Sequence, residues 1–268
     1  MNVGKLTRLN RIFSHLSGRI CTIAVDHFIG YQAAIPDGLR RMGSTVAAIV
    51  AARPDAVTMY AGLATNTWAP FAGRVPLIVQ SILDRSDDLV YEQVCRPEDA
   101  VRLGADGIAI VAYVRGSSEA RYLRVVSECV REAARFDLPV FCHMYPRDPG
   151  NLSTISHAPE DVAWAVRCAA EVGADVIKTP YCGDVAAFRQ IVAECPVPVV
   201  AAGGPRQDTL EAALGMMANV VESGAYGATI GRNVWSFPEI TKAVLAFKAV
   251  IHDGKTAEEA MCSAGLGK

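Results

Sequence analysis

The stretch "EVGADVIKT" (171–179) decides the fold, because the same order of residues occurs three times along the chain. In "RLGADGIAI" (102–110) and "ESGAYGATI" (222–230), as in this stretch, a helical pattern ends at a glycine, a small residue follows, and an apolar run begins. Glycine commonly ends helices, and a short apolar run after such a stop is typical of a buried strand. The repetition predicts successive helix–strand units.

Short apolar or β-branched runs recur over the whole chain. They are continuous rather than alternating, which is typical of strands that are covered on both faces in a parallel sheet. The predicted strands lie in the stretches 20–26, 56–62, 75–80, 107–113, 138–145, 175–180, 197–204 and 227–232.

Helical patterns separate most of these strands. Over 117–136, apolar residues recur at three- to four-residue spacing, and the helix within 156–173 is expected to begin at the cap-like Ser156. Eight strands alternating with helices over about 250 residues predict a (β/α)₈ (TIM) barrel, with residues 1–268 as a single domain. The alternative is a doubly wound open sheet, but no G-x-G-x-x-G turn follows the first strand.

The composition excludes several classes of function. With 26 Lys+Arg and 28 Asp+Glu in 268 residues, the net charge of −2 gives no electrostatic case for nucleic-acid binding. No apolar run is long enough to span a membrane. The eight cysteines form no C-x-x-C pair, so we expect reduced thiols in a cytoplasmic protein.

The first residues are basic. Four basic residues and no acidic residue precede Asp26, a pattern that transit peptides share. Because a strand is predicted from Ile20, we interpret residues 1–18 as a basic helical lead-in to the barrel.

Polar residues and glycines follow the predicted strands. The active site of such a barrel lies at the C-terminal ends of its strands, so we expect these residues to share one rim although they are far apart in sequence. The candidates are Asp26, His27, His143, Tyr145, Arg147, Lys178, Gly203, Gly204, Gly231 and Arg232.

Lys178 is the unusual member of this set, since it follows the apolar residues Val176 and Ile177. An apolar setting disfavours the charged form of a lysine, and a neutral amine attacks a carbonyl carbon to form a Schiff base. Alternatively, the side chain reaches out of the barrel mouth or pairs with a carboxylate. The strand context alone leaves these alternatives open.

Tyr145 and Asp26 are candidates for proton transfer at the same rim. Formation of a Schiff base and cleavage of a carbon–carbon bond both move protons, which a phenol and a carboxylate are able to supply or accept. Each residue also has an ordinary explanation. Tyr145 suits an amphipathic rim position, and Asp26 suits the cap of a helix or a turn.

The turns after the last two strands favour an anion. Glycines allow backbone N–H groups to approach a phosphate, and a following helix N-terminus adds a favourable dipole. Gly203, Gly204 and Gly231 lie in these turns, and Arg232 adds a charge-assisted contact. The alternative is that the turns need glycine for their own geometry, but two such turns with an arginine favour a phosphate.

A metal site is not predicted. The five histidines show no H-x-H or H-E-x-x-H spacing, and no third ligand is evident beside His27 and His143. Cys182, four residues after Lys178, is more simply a rim thiol than a nucleophile.

The ordered set of motifs resembles the archaeal-type class I fructose-bisphosphate aldolases (the DhnA type). Related members include 2-amino-3,7-dideoxy-D-threo-hept-6-ulosonate synthase and the aldolase-like thiolase of autoinducer-2 breakdown. The resemblance spans nearly the whole chain. It is carried by "VDH" (25–27), "MYPR" (144–147), "IKTPYCGD" (177–184), "AAGGP" (201–205) and "GRNVW" (231–235).

The resemblance implies a homo-oligomeric (β/α)₈ aldolase without metal or cofactor. It implies that Lys178 forms the Schiff base, that Tyr145 donates a proton and that Asp26 is a further acid or base. It also implies a phosphorylated small-molecule substrate, with its phosphate near Gly203, Gly204, Gly231 and Arg232. We further expect His27, His143 and Arg147 to contact this substrate.

Two positions depart from the family pattern. Phe28 and Ile29 follow Asp26-His27 where relatives have glycine-rich sequence, and His143 replaces an aromatic residue two positions before the tyrosine. The preferred hypothesis is an aldolase acting on a phosphorylated ketose with a dihydroxyacetone-phosphate-type donor. The alternatives are a transaldol or acyl-transfer enzyme of the same fold, and a non-catalytic barrel that binds phosphosugars.

Overall fold

Eight parallel strands close into a barrel in the computed structural model, which describes residues 2–85 and 87–267. Each strand pairs with its neighbour in sequence, and the last pairs with the first. The predicted (β/α)₈ barrel and its eight strands are therefore confirmed. The strands are β1 (Ile20–Ala24), β2 (Ala56–Tyr60), β3 (Leu77–Gln80), β4 (Gly107–Val114), β5 (Val140–Asp148), β6 (Val176–Thr179), β7 (Val199–Ala202) and β8 (Gly227–Ile230).

Helices cover the outside of the barrel. They are α1 (Val3–Ile12), α2 (Met42–Ala51), α3 (Ala61–Thr67), α4 (Pro97–Arg102), α5 (Glu119–Ala134), α6 (Pro159–Glu171), α7 (Val185–Glu194), α8 (Leu210–Glu222), α9 (Arg232–Trp235), α10 (Ile240–Asp253) and α11 (Ala257–Ser263). Short 3₁₀ turns occur at Ile29–Tyr31, Asp37–Leu39 and Ala69–Phe71. None of the helices in the described part of the chain is both long and apolar enough to cross a membrane.

The start of α6 corrects one prediction. The residue at the N-cap is Ala158, so Ser156 does not cap the helix. Instead, the Ser156 hydroxyl donates to Asp161 in the first turn (2.8 Å) and accepts from the backbone N–H of Ala158. Pro159 at the first helical position fixes the helix start two residues later than the serine pattern indicated.

Two small antiparallel elements rise from the C-terminal end of the barrel. The hairpin consists of Ile82–Asp84 paired with Tyr91–Gln93, directly after β3. The arm is the strand Asn151–Ile155, which folds back on the end of β5. Both elements add residues to the rim where the candidate side chains were predicted.

The glycine stops of the repeated units have the expected conformation. Gly173 and Gly224 have φ values of +92° and +83°, a left-handed region that side chains with a Cβ rarely adopt. Each glycine ends a helix and turns the chain into the next strand. The repeated pattern of helix end, glycine and apolar run thus corresponds to the observed αβ units.

The lower part of the barrel interior is apolar. Successive side chains of a strand point to opposite faces, so every second residue faces inward. The inward residues nearest the N-terminal ends of the strands form a fully packed layer, which Ile12 of α1 closes from below. This layer consists of Ile20, Ala56, Ile78, Ala109, Phe141, Val176 and Val200.

Candidate active site

The same alternation that builds the apolar layer places polar side chains directly above it. Two residues beyond Val176 on β6 comes Lys178, and two residues beyond Phe141 on β5 comes His143. These two polar residues are direct partners in the β5–β6 register. The second inward layer, directly above the apolar one, therefore contains side chains with reactive or hydrogen-bonding groups.

A cavity of about 260 Å³ opens above this layer at the C-terminal ends of the strands. Residues from β1, β4, β5, β6, β7 and β8 line it, as predicted for one shared rim. Its polar and glycine residues include His27, Tyr113, Tyr145, His157, Lys178, Gly203, Gly204, Thr229, Gly231 and Arg232. The predicted site residues that it brings together are Lys178, Tyr145, His27, Gly203, Gly204, Gly231 and Arg232.

Lys178 lies in the wall of this cavity and is 8 % exposed. Within residues 2–85 and 87–267 it makes neither a hydrogen bond nor an ion pair with a carboxylate. Its burial excludes a side chain that reaches into bulk water, and the lack of a carboxylate partner excludes a structural ion pair in the described chain. The amine thus faces a cavity without a protein group to satisfy it.

His143 is buried beside Lys178. Burial, together with the positive charge of Lys178, lowers the pKa of His143 to about 3, although Asp26 opposes the shift. The imidazole is therefore neutral near pH 7. A neutral ring next to the lysine adds no second positive charge to the site, and its nitrogens remain available for hydrogen bonds.

Asp26 lies at the end of β1 and lines an adjoining cavity of about 410 Å³, which shares His27 and Tyr113 with the first. Burial alone would raise the pKa of Asp26. The positive charge of Lys178, with smaller contributions from His143 and His27 and a hydrogen bond from Gln80, outweighs burial and lowers it. Asp26 is therefore a carboxylate that faces the lysine without contacting it.

Tyr145 lines the lysine cavity from β5, two residues above His143. Its ring packs against that of Tyr113, with ring centroids 6.1 Å apart. Tyr113 is in turn fixed by a hydrogen bond from its hydroxyl to Asp84 of the hairpin (2.5 Å). The hairpin thus supports the ring on which Tyr145 rests.

His27 separates the two cavities. Its ring packs edge-on against Trp235, whose indole N–H donates to the backbone oxygen of Ala24 (3.2 Å). Burial lowers the pKa of His27, against the opposing charge of Asp26, so the ring is neutral near pH 7. Its buried Nδ1 has no hydrogen-bond partner in the described part of the chain.

The glycine turns after β7 and β8 form the opposite wall. A Cβ at Gly203 would lie 2.9 Å from Cα of Ile230, and a Cβ at Gly231 would lie 2.5 Å from Cε1 of His27. Both positions therefore need glycine for packing, whatever they bind. The helix that follows β8 is only the four-residue α9, which begins at Arg232. The exposed Arg232 supplies the positive charge at this wall, and its guanidinium donates to the backbone oxygen of Gly204 (3.3 Å).

The structure does not bring Arg147 into the cavity. Its side chain is 2 % exposed, its guanidinium donates to the carboxylate of Asp88, and it stacks over Tyr113 at 4.4 Å. The register of β5 shifts between Arg147 and Asp148, where the arm folds back, so the inward alternation ends there. The geometry does not support the expectation that Arg147 contacts substrate, because its guanidinium is already paired with Asp88 and stacked on Tyr113.

No group of three or more potential metal ligands occurs among residues 2–85 and 87–267. In the described part of the chain, His27 and His143, which were considered as a pair, therefore belong to no such group. The thiol of Cys182 contacts the backbone oxygen of Asp184 (3.5 Å) and does not line the lysine cavity.

Comparison with known proteins identifies the family. The sequence model of the DeoC/LacD family aldolases matches residues 20–237, from the first strand to beyond the last. The chain belongs to the DeoC/LacD aldolase family. This membership confirms the prediction of an aldolase, an enzyme that makes or breaks carbon–carbon bonds, and the match spans all eight barrel strands.

Two relatives in this family are similar over most of the chain. The 2-amino-3,7-dideoxy-D-threo-hept-6-ulosonate synthase of Halobacterium salinarum is 34% identical over 270 residues, covering 99% of this chain and 98% of its own. The class 1 fructose-bisphosphate aldolase of Thermoproteus tenax is 34% identical over 209 residues, covering 76% of this chain and 78% of its own.

A solved structure is also similar. An archaeal fructose-1,6-bisphosphate aldolase, with its catalytic lysine covalently bound to the carbinolamine intermediate of the substrate, has a TM-score of 0.78 and is 29% identical. The match covers 92% of this chain and 99% of that one. The predicted resemblance is therefore confirmed by both sequence and structure.

Several site residues of this family member were not predicted from the sequence. His157 lines the lysine cavity, where its Nδ1 donates to the backbone oxygen of Tyr181 (2.9 Å). Gln80 and Tyr113 contact Asp26 and Tyr145, respectively. Both are the last inward residues of their strands, and the alternation that singles out Lys178 would have found them. His157 lies in a loop and carries no such signal.

Proposed function

We propose that this chain is a class I aldolase in which Lys178 forms a Schiff base with a phosphorylated ketose. The observation that carries the proposal is the placement of Lys178. Its amine is buried in the wall of a cavity, has no carboxylate or hydrogen-bond partner in the described chain, and lies near Tyr145 and Asp26. The archaeal relative with a covalently bound catalytic lysine supports the same chemistry.

The first half of the proposed reaction forms the Schiff base. The amine of Lys178, in its neutral form, adds to the ketone carbon and gives a carbinolamine. The carbinolamine hydroxyl takes a proton and leaves as water, while the nitrogen keeps its bond to carbon and becomes an iminium. Tyr145, in the wall of the same cavity, is the proposed donor of that proton.

The second half breaks the carbon–carbon bond. A base takes the proton of the hydroxyl on the β-carbon, the bond between the α- and β-carbons breaks, and its electron pair moves into the iminium to give an enamine. An aldehyde leaves. Tyr145 and Asp26 are both candidates for this base, and the ring of His27, which lines both cavities, is a candidate partner for a substrate hydroxyl. Each step is reversible, so the same groups serve bond formation.

The phosphate of the donor is proposed to lie against the wall formed by Gly203, Gly204, Gly231 and Arg232. The guanidinium of Arg232 provides a charged donor on one side of the cavity, and the three glycines let the substrate approach the backbone there. Lys178 lies in the wall of the same cavity. A dihydroxyacetone-phosphate-type donor spans this arrangement, with its phosphate at the turns and its ketone at the lysine. We further propose a homo-oligomer that acts in the cytoplasm.

The test is trapping with sodium borohydride in the presence of dihydroxyacetone phosphate, followed by peptide mass mapping. We expect a reduced adduct on the peptide that contains Lys178, absent from Lys178→Met and retained in the surface variant Lys242→Met. An adduct on another lysine, or turnover without any adduct, would contradict the proposal. If the parent protein and Lys178→Met bound the phosphosugar equally well and neither turned it over, the protein would be a non-catalytic barrel.

A second candidate is transfer of the bound fragment to a different acceptor. It is supported by the 34% identity to a heptulosonate synthase over 99% of the chain. His143, where typical fructose-bisphosphate aldolases have an aromatic residue, also suits a different acceptor. A panel assay separates the two reactions: an aldolase releases free aldehyde from a ketose phosphate alone, whereas a transfer enzyme turns over only when an acceptor is added.

A further inference from the structure

Gln80 is a buried amide that connects the hairpin to Asp26. It is the last residue of β3, faces the barrel interior and is 1 % exposed. Its Oε1 accepts a hydrogen bond from the backbone N–H of Ile82 (3.1 Å), and its Nε2 donates to Oδ2 of Asp26 (2.9 Å). Both ends of the amide are therefore engaged.

The backbone contact fixes which end of the amide meets the carboxylate. A backbone N–H only donates, so it has to face the oxygen of the Gln80 side chain. The NH₂ group then points to Asp26. The reversed orientation would place NH₂ against the N–H of Ile82 and oxygen against a carboxylate, leaving two buried donor–donor and acceptor–acceptor mismatches.

The residue that orients Gln80 is itself held at both backbone groups. While the N–H of Ile82 donates to Gln80, the backbone oxygen of Ile82 accepts from the hydroxyl of Tyr60 (2.9 Å). Tyr60 and Gln80 are direct partners in the β2–β3 register. The base of the hairpin is thus anchored to two neighbouring strands, so the amide has a fixed position from which to hold Asp26.

We propose that Gln80 is a positioning residue for Asp26, which holds Oδ2 and leaves Oδ1 to exchange a proton with the substrate. The inference rests on the proposed Schiff-base function, because it gives Asp26 a partner in that reaction. A carboxylate free to rotate would present either oxygen, whereas one oxygen held by a rigid amide restricts the other to a single direction. Such orientation of a proton-transfer group raises kcat without tightening substrate binding.

The electrostatics of Asp26 agree with this role. The positive charge of Lys178 is the main cause that lowers the pKa of Asp26 against its burial, and the hydrogen bond from Gln80 acts in the same direction. The other titratable groups that interact with Asp26 are His27, His143, Tyr60 and Asp84. Loss of that hydrogen bond raises the pKa. The carboxylate then takes up a proton at a higher pH, so the acidic limb of the pH–rate profile moves upward.

The experiment compares Gln80→Leu and Gln80→Glu with the control Gln93→Leu in the full-length protein. Gln93 lies in the same hairpin, is exposed, and donates to Ser81 rather than to Asp26. For Gln80→Leu we expect kcat to fall by about tenfold with KM nearly unchanged, and the acidic limb of the pH–rate profile to move upward. Borohydride trapping on Lys178 should persist, since the amine is untouched.

Gln80→Glu keeps the shape of the side chain and decides the matter if Gln80→Leu fails to fold. Two facing carboxyls hold one proton at neutral pH, so we expect a larger upward move of the acidic limb than in Gln80→Leu. If a Gln80 variant that folds had the same kcat and the same pH–rate profile as the control Gln93→Leu, the proposal would be overturned. Failure of the parent protein to form any adduct on Lys178 would instead refute the proposed function, so the two failures are distinguishable.

Discussion

The two ends of the barrel interior differ in purpose although the same strands build them. At the N-terminal end, Val176 and Phe141 belong to an apolar layer that Ile12 closes from below. Two residues further along the same strands, Lys178 and His143 are also buried but polar. Burying unpaired polar groups is unfavourable for stability. The lower layer therefore holds the barrel together, and the upper layer is retained for chemistry.

The largest expected effect is that of removing the lysine amine. Lys178→Met should reduce turnover by on the order of 10⁴-fold, because the reaction loses its electron sink. The free energy of unfolding should stay equal or rise, since a buried unpaired amine is replaced by an apolar chain. Steady-state kinetics and urea denaturation of the same preparation measure both.

That result would separate chemistry from stability in the upper layer. If Lys178→Met were instead strongly destabilised, the amine would have a structural partner, and the contrast between the two layers would be lost.

The second prediction breaks the lower layer. Ile12→Ala should destabilise the protein by about 2–5 kcal/mol, because a fully buried side chain that plugs the barrel is lost. At a temperature where the variant is folded, kcat should change by less than about twofold, since α1 lies at the opposite end from the cavity. Urea denaturation and kinetics are again the measurements, and a large fall in kcat at constant stability would refute the division.

The third prediction concerns the phosphate wall. Arg232→Gln should raise KM for a phosphorylated ketose by about ten- to hundredfold through loss of one charge-assisted contact. The matched control is Arg206→Gln, which removes an exposed arginine next to the β7 turn that does not line the cavity. Equal effects of the two variants would show that the contribution is only general surface charge.

The smallest expected effect is a pH dependence of stability. The pKa of His143 is about 3 in the folded protein, whereas the ordinary value is 6.5. Between these values the unfolded chain binds a proton that the folded protein excludes, so His143 lowers stability as the pH falls below 6.5. His143→Gln should remove up to about 1 kcal/mol of the loss between pH 6 and pH 5.

The measurement is urea denaturation of parent and His143→Gln at the two pH values. His27, whose pKa burial also lowers, contributes in the same direction in both proteins and therefore cancels in the comparison. An identical acid dependence of the two proteins would mean that His143 gains a proton in the folded state.

The sequence predicted the barrel and the part of the site that strand ends determine. Continuous apolar runs and glycine stops are local, so the strands, Lys178, Tyr145, Asp26 and the glycine turns were all readable from short stretches. The alternation along β3 also points to Gln80, but its role does not follow from it, because that role depends on a partner 54 positions away in sequence. His157 was missed because its loop position gives no periodic signal.

Arg147 shows the opposite limit. Its place near the end of β5 correctly indicated the C-terminal end of the barrel. Sequence alone does not show that its guanidinium pairs with Asp88 and stacks on the ring of Tyr113. Position along a strand is a local property, whereas the direction of a long side chain depends on tertiary contacts.

The most direct test of the central claim is a crystal structure of the protein after borohydride reduction with dihydroxyacetone phosphate. We expect continuous density from Nζ of Lys178 to the former carbonyl carbon, with the phosphate against the turns of Gly203 and Gly231 and within reach of Arg232. Unmodified Lys178, or an adduct whose phosphate lies in the cavity lined by Asp26, would contradict it.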